Sequence, residues 1–163
     1  MPHSQKRRVS ESLILVPSTG SVQGLSVHYL FSVTQVSEVL TPVEPTVVPF
    51  APGHLVGLAN WRKQPTALVS PDRLFGLGDL PKDVKTARIL AVSQPKAPSM
   101  DEHWHHVLLY MASGGRMLSK VPEAKPENAE DHFGPEAANH IKGLYSWSNG
   151  LILVPDIERI IQG

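Results

Sequence analysis

The chain has 163 residues, 15 lysines plus arginines balanced by 15 aspartates plus glutamates, and no cysteine. Neutrality, with only 18% charged residues, argues against a nucleic-acid binder or a polybasic membrane module, which depend on positive charge. The lack of cysteine excludes disulfides, thiol catalysis and cysteine-ligated metal sites, and fits a reducing compartment.

The length suits one domain. Fifteen prolines and twelve glycines point to short strands and many turns rather than long surface helices. Residues 1–10, with Lys6-Arg7-Arg8, read as a disordered basic tail. The apolar run from Leu13 to Pro17 is shorter than the roughly 7–15 residues of a signal-peptide core or the roughly 20 of a membrane span. A cytoplasmic location is the expectation.

The elements follow in chain order. Leu13–Val16 reads as a strand ending at Pro17, and Val27–Val33, with Tyr29 and Phe31, as another. Thr34–Leu40 fits a helical turn or a bent strand. Pro42, Pro45 and Pro49 then impose an extended connector. Leu55–Trp61 and Thr66–Val69 form a hairpin. Ser70-Pro71-Asp72 starts a short helix, with a capping hydroxyl, a proline at the first position and a carboxylate at the positive end of the dipole. Gly76–Lys85 is a loop, Thr86–Val92 a strand, Ser93–Glu102 a long hairpin loop, and Trp104–Met111 the return strand. Lys120–Asn139, polar and holding Pro122, Pro126 and Pro135, reads as a mobile connector. A last hairpin, Ile141–Val154, leads into a terminal helix.

The chain also repeats itself. His54-Leu-Val-Gly57-Leu58-Ala-Asn60-Trp61 recurs as His140-Ile-Lys-Gly143-Leu144-Tyr-Ser-Trp147, and each copy runs through a hairpin into Pro-Asp (Pro71-Asp72; Pro155-Asp156). Trp to Pro spans 10 residues in one copy and 8 in the other. An even difference leaves strand faces unchanged, so the second hairpin reads as the same unit with a shorter loop.

The residues Val36-Ser-Glu38-Val39-Leu40, Val47-Val-Pro49 and Val56-Gly57-Leu58-Ala-Asn60-Trp61-Arg62 resemble the CheW-like domain, the bacterial chemotaxis coupling family. Ile141-Lys-Gly143 and Leu151–Ile161 resemble that family's closing strand pair and helix. Departures are Lys63 in place of the glycine after the arginine, and Ala67-Leu68-Val69-Ser70 in place of proline, two hydrophobics and aspartate.

The resemblance implies a mostly β fold of two pseudo-symmetric five-stranded SH3-like barrels sharing a hydrophobic junction. One CheW-like domain spans 11–162. Its first unit is expected at about 34–85 and its second at about 86–162, with the N-terminal strands packing across. The implied function is a non-enzymatic adaptor without cofactor. It would join a methyl-accepting chemoreceptor's cytoplasmic tip to the regulatory domain of a CheA-type histidine kinase, in chemotaxis or type IV pilus control. Nucleic acid and direct membrane insertion are not expected.

The resemblance makes Glu38 and Arg62 the leading partner-binding candidates, because the family's matching glutamate and arginine lie close together near the receptor-contacting groove, where a carboxylate and a guanidinium can pair bidentately and hold two elements in register. A plain surface ion pair is the competing reading. Val36, Val39, Leu40, Val56 and Leu58 line either a partner groove or the core. Gly57 permits close backbone approach, and Asn60 belongs to the same motif. Trp61 and Trp147 close barrels, or anchor a partner if exposed. The alternative function is a small β-barrel metal-binding protein or enzyme using His103, His105 and His106. Catalytic zinc, however, needs three protein ligands with outer support, and a metal site is not expected. No phosphate-loop or dinucleotide context surrounds the glycine pairs.

Overall fold

The computed structural model describes residues 12–94, 106–148 and 150–162. In chain order the elements are β1 (Leu13–Val22), β2 (Leu25–Ser32), a 3-10 turn (Val33–Gln35), β3 (Val36–Leu40), β4 (Leu55–Trp61), β5 (Gln64–Val69), α1 (Pro71–Leu74), β6 (Arg88–Ser93), β7 (His106–Met111), β8 (Arg116–Leu118), β9 (Lys125–Pro126), α2 (Ala129–Ala138), β10 (Ile141–Trp147), β11 (Gly150–Pro155) and α3 (Ile157–Gln162). They form two sheets, ordered β8-β1-β2-β11-β10-β9 and β3-β6-β7-β5-β4.

The two sheets are built alike. Hairpin β4–β5 pairs Leu55 with Val69, shifts register before Gly57–Leu68, and closes on Trp61–Gln64. Hairpin β10–β11 pairs Ile141 with Pro155, shifts before Gly143–Val154, and closes on Trp147–Gly150. Every partner lies 86 positions on, so the loops are equally long and the expected two-residue difference is absent. The Pro-Asp dipeptides are therefore not equivalent. The matching positions are the helix caps: Ser70 N–H donates to the His54 carbonyl at 2.8 Å and Asp156 N–H to the His140 carbonyl at 2.9 Å. Ser70 Oγ then accepts from Arg73 N, and Asp156 Oδ1 from Arg159 N, each at 3.2 Å.

The expected division at residue 86 is corrected by strand pairing. β6 and β7 join β3, β4 and β5 in one sheet drawn wholly from 36–111. The other sheet takes β1 and β2 together with β8–β11, so the chain leaves it after residue 32 and returns at 116. It has six strands rather than five because the short β9 adds at its edge.

The core explains the apolar runs. Along β6 and β7, neighbouring residues point to opposite faces, and both faces are covered. Leu90, Val92, Leu109 and Met111 meet Val16, Tyr29, Phe31 and Leu153 of the other sheet in a common junction. Ile89, Ala91, Leu108 and Tyr110 join Leu68 and Trp61 in a second cluster inside the five-stranded sheet. Strands buried on two sides read as unbroken hydrophobic text.

Two local expectations change, at β1 and at 120–139, and the alternatives left open for 34–40 both find a place. β1 continues through Pro17 to Val22. β8 pairs only with Leu13–Leu15, so at Pro17 no described strand ladders onto that side of β1 and a missing N–H costs little. The 34–40 segment is a turn capped reciprocally by Ser32 and Gln35, followed by a strand. The polar 120–139 stretch holds β9 and α2. Asn128 caps α2 by accepting from Glu130 N and Asp131 N, and Ala129, Phe133 and Ala137, at helical spacing, pack on the junction. Gly134 (φ 84°) and Pro135 kink it.

Candidate partner-binding surface

β3 and β4 lie at opposite ends of the five-stranded order, yet their side chains meet. The Trp61 indole Nε1–H donates to Glu38 Oε1 at 3.1 Å. Arg62 Nη2 reaches the same oxygen at 3.5 Å, and the Arg62 guanidinium carbon sits 4.3 Å from the Trp61 ring centre. The sheet has curled until its edges touch, which closes it as a barrel through side chains. Trp61 is buried and also packs on the His106 ring, centroids 4.6 Å apart.

The Glu38–Arg62 pair is a single long contact, not a bidentate fork, with side chains 44% and 59% exposed. Such a pair contributes about 0–1 kcal/mol. Stability therefore gives little reason for the two charges. Arg62 and Lys63 form the hairpin turn with φ of 51° and 64°. Two successive left-handed residues match the strand twist of a type I′ turn, but here neither is glycine, so the turn is strained.

The ten candidate residues divide by position. Glu38, Val39, Leu58, Asn60 and Arg62 reach the surface. Val36 packs on the junction, while Leu40 and Val56 pack on the inner cluster. Gly57 is buried beneath the connector, where Thr46 and Leu58 exchange backbone hydrogen bonds of 2.8 Å. A Cβ there would collide with the Thr46 carbonyl. Beside this edge lies a cleft of about 580 Å³, lined by Pro45, Val47, Phe50, Val56, Leu80 and Tyr110 among others. Phe50 is fully exposed with φ 61°. Motif reading missed it because it stands in a proline-rich segment without periodicity.

The second sheet carries a counterpart. Glu38 lies opposite Ala91 and Val39 opposite Leu90; in the same register Arg116 lies opposite Leu15 and Met117 opposite Ile14. Each edge strand thus shows a charged residue followed by an exposed apolar one, with opposite charge in the two sheets. Trp147 stacks edge-on with His28 at 5.5 Å, mirroring Trp61 and His106. Burial, and then the Arg116 charge, hold the His28 pKa below its ordinary value. Burial, and then His140, do the same for His54.

His103 and His105 lie outside the described residues, and His106 opens β7 against Trp61. Among the described residues, no three histidine, aspartate or glutamate side chains are grouped to hold a metal ion. No helix among them is long and apolar enough to cross a membrane.

The family model of the CheW-like domain matches residues 13–163. The chain belongs to the CheW-like family. Its fold is similar to the crystal structure of the scaffolding protein TtCheW from Thermoanaerobacter tengcongensis, with a TM-score of 0.62 at 17% identity over 90% of this chain and 84% of that one. No curated protein matches the chain. The fold is thus CheW-like and mostly β, with two sheet subdomains around a shared junction.

Proposed function

We propose that the chain is a non-enzymatic cytoplasmic adaptor, coupling a chemoreceptor's cytoplasmic tip to the regulatory domain of a CheA-type histidine kinase in chemotaxis or type IV pilus control. Membership of the CheW-like family over nearly the whole chain carries this reading. The surface supports it. Arg62 is held in the open against Glu38 at little benefit to stability, beside exposed Val39 and Leu58. Charged groups flanking apolar ones suit the rim and centre of a modest protein interface.

Val39 leans on the Gly114 turn leading into β8, 3.6 Å from the place a Cβ would occupy. The two edge strands therefore flank the line where the sheets meet, and a receptor's helical hairpin would lie along that line. Weak individual contacts suffice where many copies act together, because linked sites add avidity.

Titrating the purified chain with a receptor-tip fragment and, separately, with the kinase regulatory domain tests the proposal. Saturable binding to both supports it, and binding to neither overturns it.

A further inference from the structure

α1 belongs to the five-stranded sheet's connection, yet its Asp72 side chain is spent on the other sheet. Asp72 is buried. Its Oδ1 accepts from the Tyr29 hydroxyl of β2 at 2.6 Å. Its Oδ2 accepts from the Thr19 hydroxyl at 2.6 Å and the Thr19 N–H at 3.0 Å, both on β1. One carboxylate therefore ties two strands of one sheet to the helix of the other. The Ser70 position takes the place of the family's aspartate, so Asp72 is a carboxylate beyond that motif.

Close backbone packing marks the same seam. A Cβ on Gly20 would collide with the Leu77 carbonyl, and one on Gly78 would lie 2.7 Å from Thr19 Oγ1. The segment after α1 folds back on itself, with Leu77 N–H donating to the Asp72 carbonyl at 2.7 Å. At Gly20 the backbones approach too closely for any side chain, and at Gly78 the space is taken by the Thr19 hydroxyl.

Apolar contact is non-directional and tolerates sliding. Three hydrogen bonds to one buried carboxylate do not, because a shift of one ångström leaves a buried polar group without a partner. We propose that Tyr29, Asp72 and Thr19 form a positioning latch that sets how the two sheets sit against each other, and through that the line between their edge strands on which receptor-tip binding depends. The second half rests on the coupling function proposed above.

The cysteine-free chain allows paired spin labels at Gln64→Cys and Lys142→Cys, one exposed position in each sheet. Parent and Thr19→Ser, which keeps the hydroxyl, should give one narrow distance distribution. Asp72→Asn, Tyr29→Phe and the isosteric Thr19→Val should broaden it, while each retains a cooperative unfolding transition. Receptor-tip affinity should fall about tenfold in the broadened variants, as expected for loss of one or two buried bonds, and kinase-domain affinity should hold. If Asp72→Asn does not fold, Tyr29→Phe and Thr19→Val decide. Unchanged distances in the variants overturn the latch. Broadened distances with unchanged tip affinity overturn its link to binding. A parent that ignores the tip, with variants still broadened, overturns the coupling function and leaves the latch standing.

Discussion

The Trp61 indole donates to Glu38 across the two outermost strands of the five-stranded sheet. This one bond joins strands that no backbone ladder connects, and it brings Arg62 to the same carboxylate oxygen. Glu38 thus has two partners of different kinds: a half-sheltered indole N–H that closes the barrel, and an exposed guanidinium that costs little to remove.

That asymmetry separates stability from binding. Arg62→Glu should leave unfolding free energy within about 1 kcal/mol of the parent, since the pair it breaks is exposed, yet it should weaken receptor-tip binding. Glu38→Ala should cost about 1 kcal/mol by stranding the indole donor. Urea denaturation and tip titration on the same preparations check both. Full tip affinity in Arg62→Glu would remove Arg62 from the surface.

The strained turn gives a stabilising substitution. Lys63 stands at φ 64°, a region glycine enters freely. Lys63→Gly should raise stability by about 0.5–1 kcal/mol after allowing for glycine's greater freedom when unfolded. A lower urea midpoint would mean that the Lys63 side chain makes a stabilising interaction exceeding its backbone strain.

The 86-residue offset predicts matched cap energies. Ser70→Ala and Asp156→Ala each remove one bond to a helix N–H, and each should cost about 1 kcal/mol. Thermal unfolding of the two variants should show similar falls in Tm. A negligible effect at one site would mean the two corners are alike in geometry only.

Acid should destabilise the fold through its histidines. His54 and His28 are held below their ordinary value of 6.5, both mainly by burial. The unfolded chain then binds protons that the folded chain refuses, so stability rises with pH in this range. The contribution is complete above the ordinary histidine value and is lost as pH falls through the folded one. Chemical denaturation at stepped pH should show this slope, and a His54→Gln, His28→Gln double variant should flatten it.

Much of this architecture is legible in the residues. Proline and glycine boundaries, the Ser70 cap and the Trp hairpins are local signals, and the helices and hairpins they mark are found. What needed coordinates was non-local. β6 and β7 carry the same apolar text whichever sheet they join, so the division at 86 could not be read from them. The bulge between Val36 and Glu38 breaks simple alternation; Val36 faces the junction while Val39 stands half in solvent. Prolines at 122, 126 and 135 masked α2, whose apolar side is only Ala129, Phe133 and Ala137. Asp72 reads as a dipole partner in the sequence, and only folding shows it reaching Tyr29.

The interrupted sheet also bears on biosynthesis. Residues 36–111 supply one sheet without a break, whereas β2 must wait for β11, its parallel neighbour through Val27–Leu151, until the ribosome has made nearly everything between. The inner unit can therefore assemble on the nascent chain first, while β1 and β2 wait with an open flank. Arrested nascent chains long enough to bring β7 out of the ribosome but ending before β11 should already protect strands β3–β7 from protease while leaving 13–32 open to cleavage.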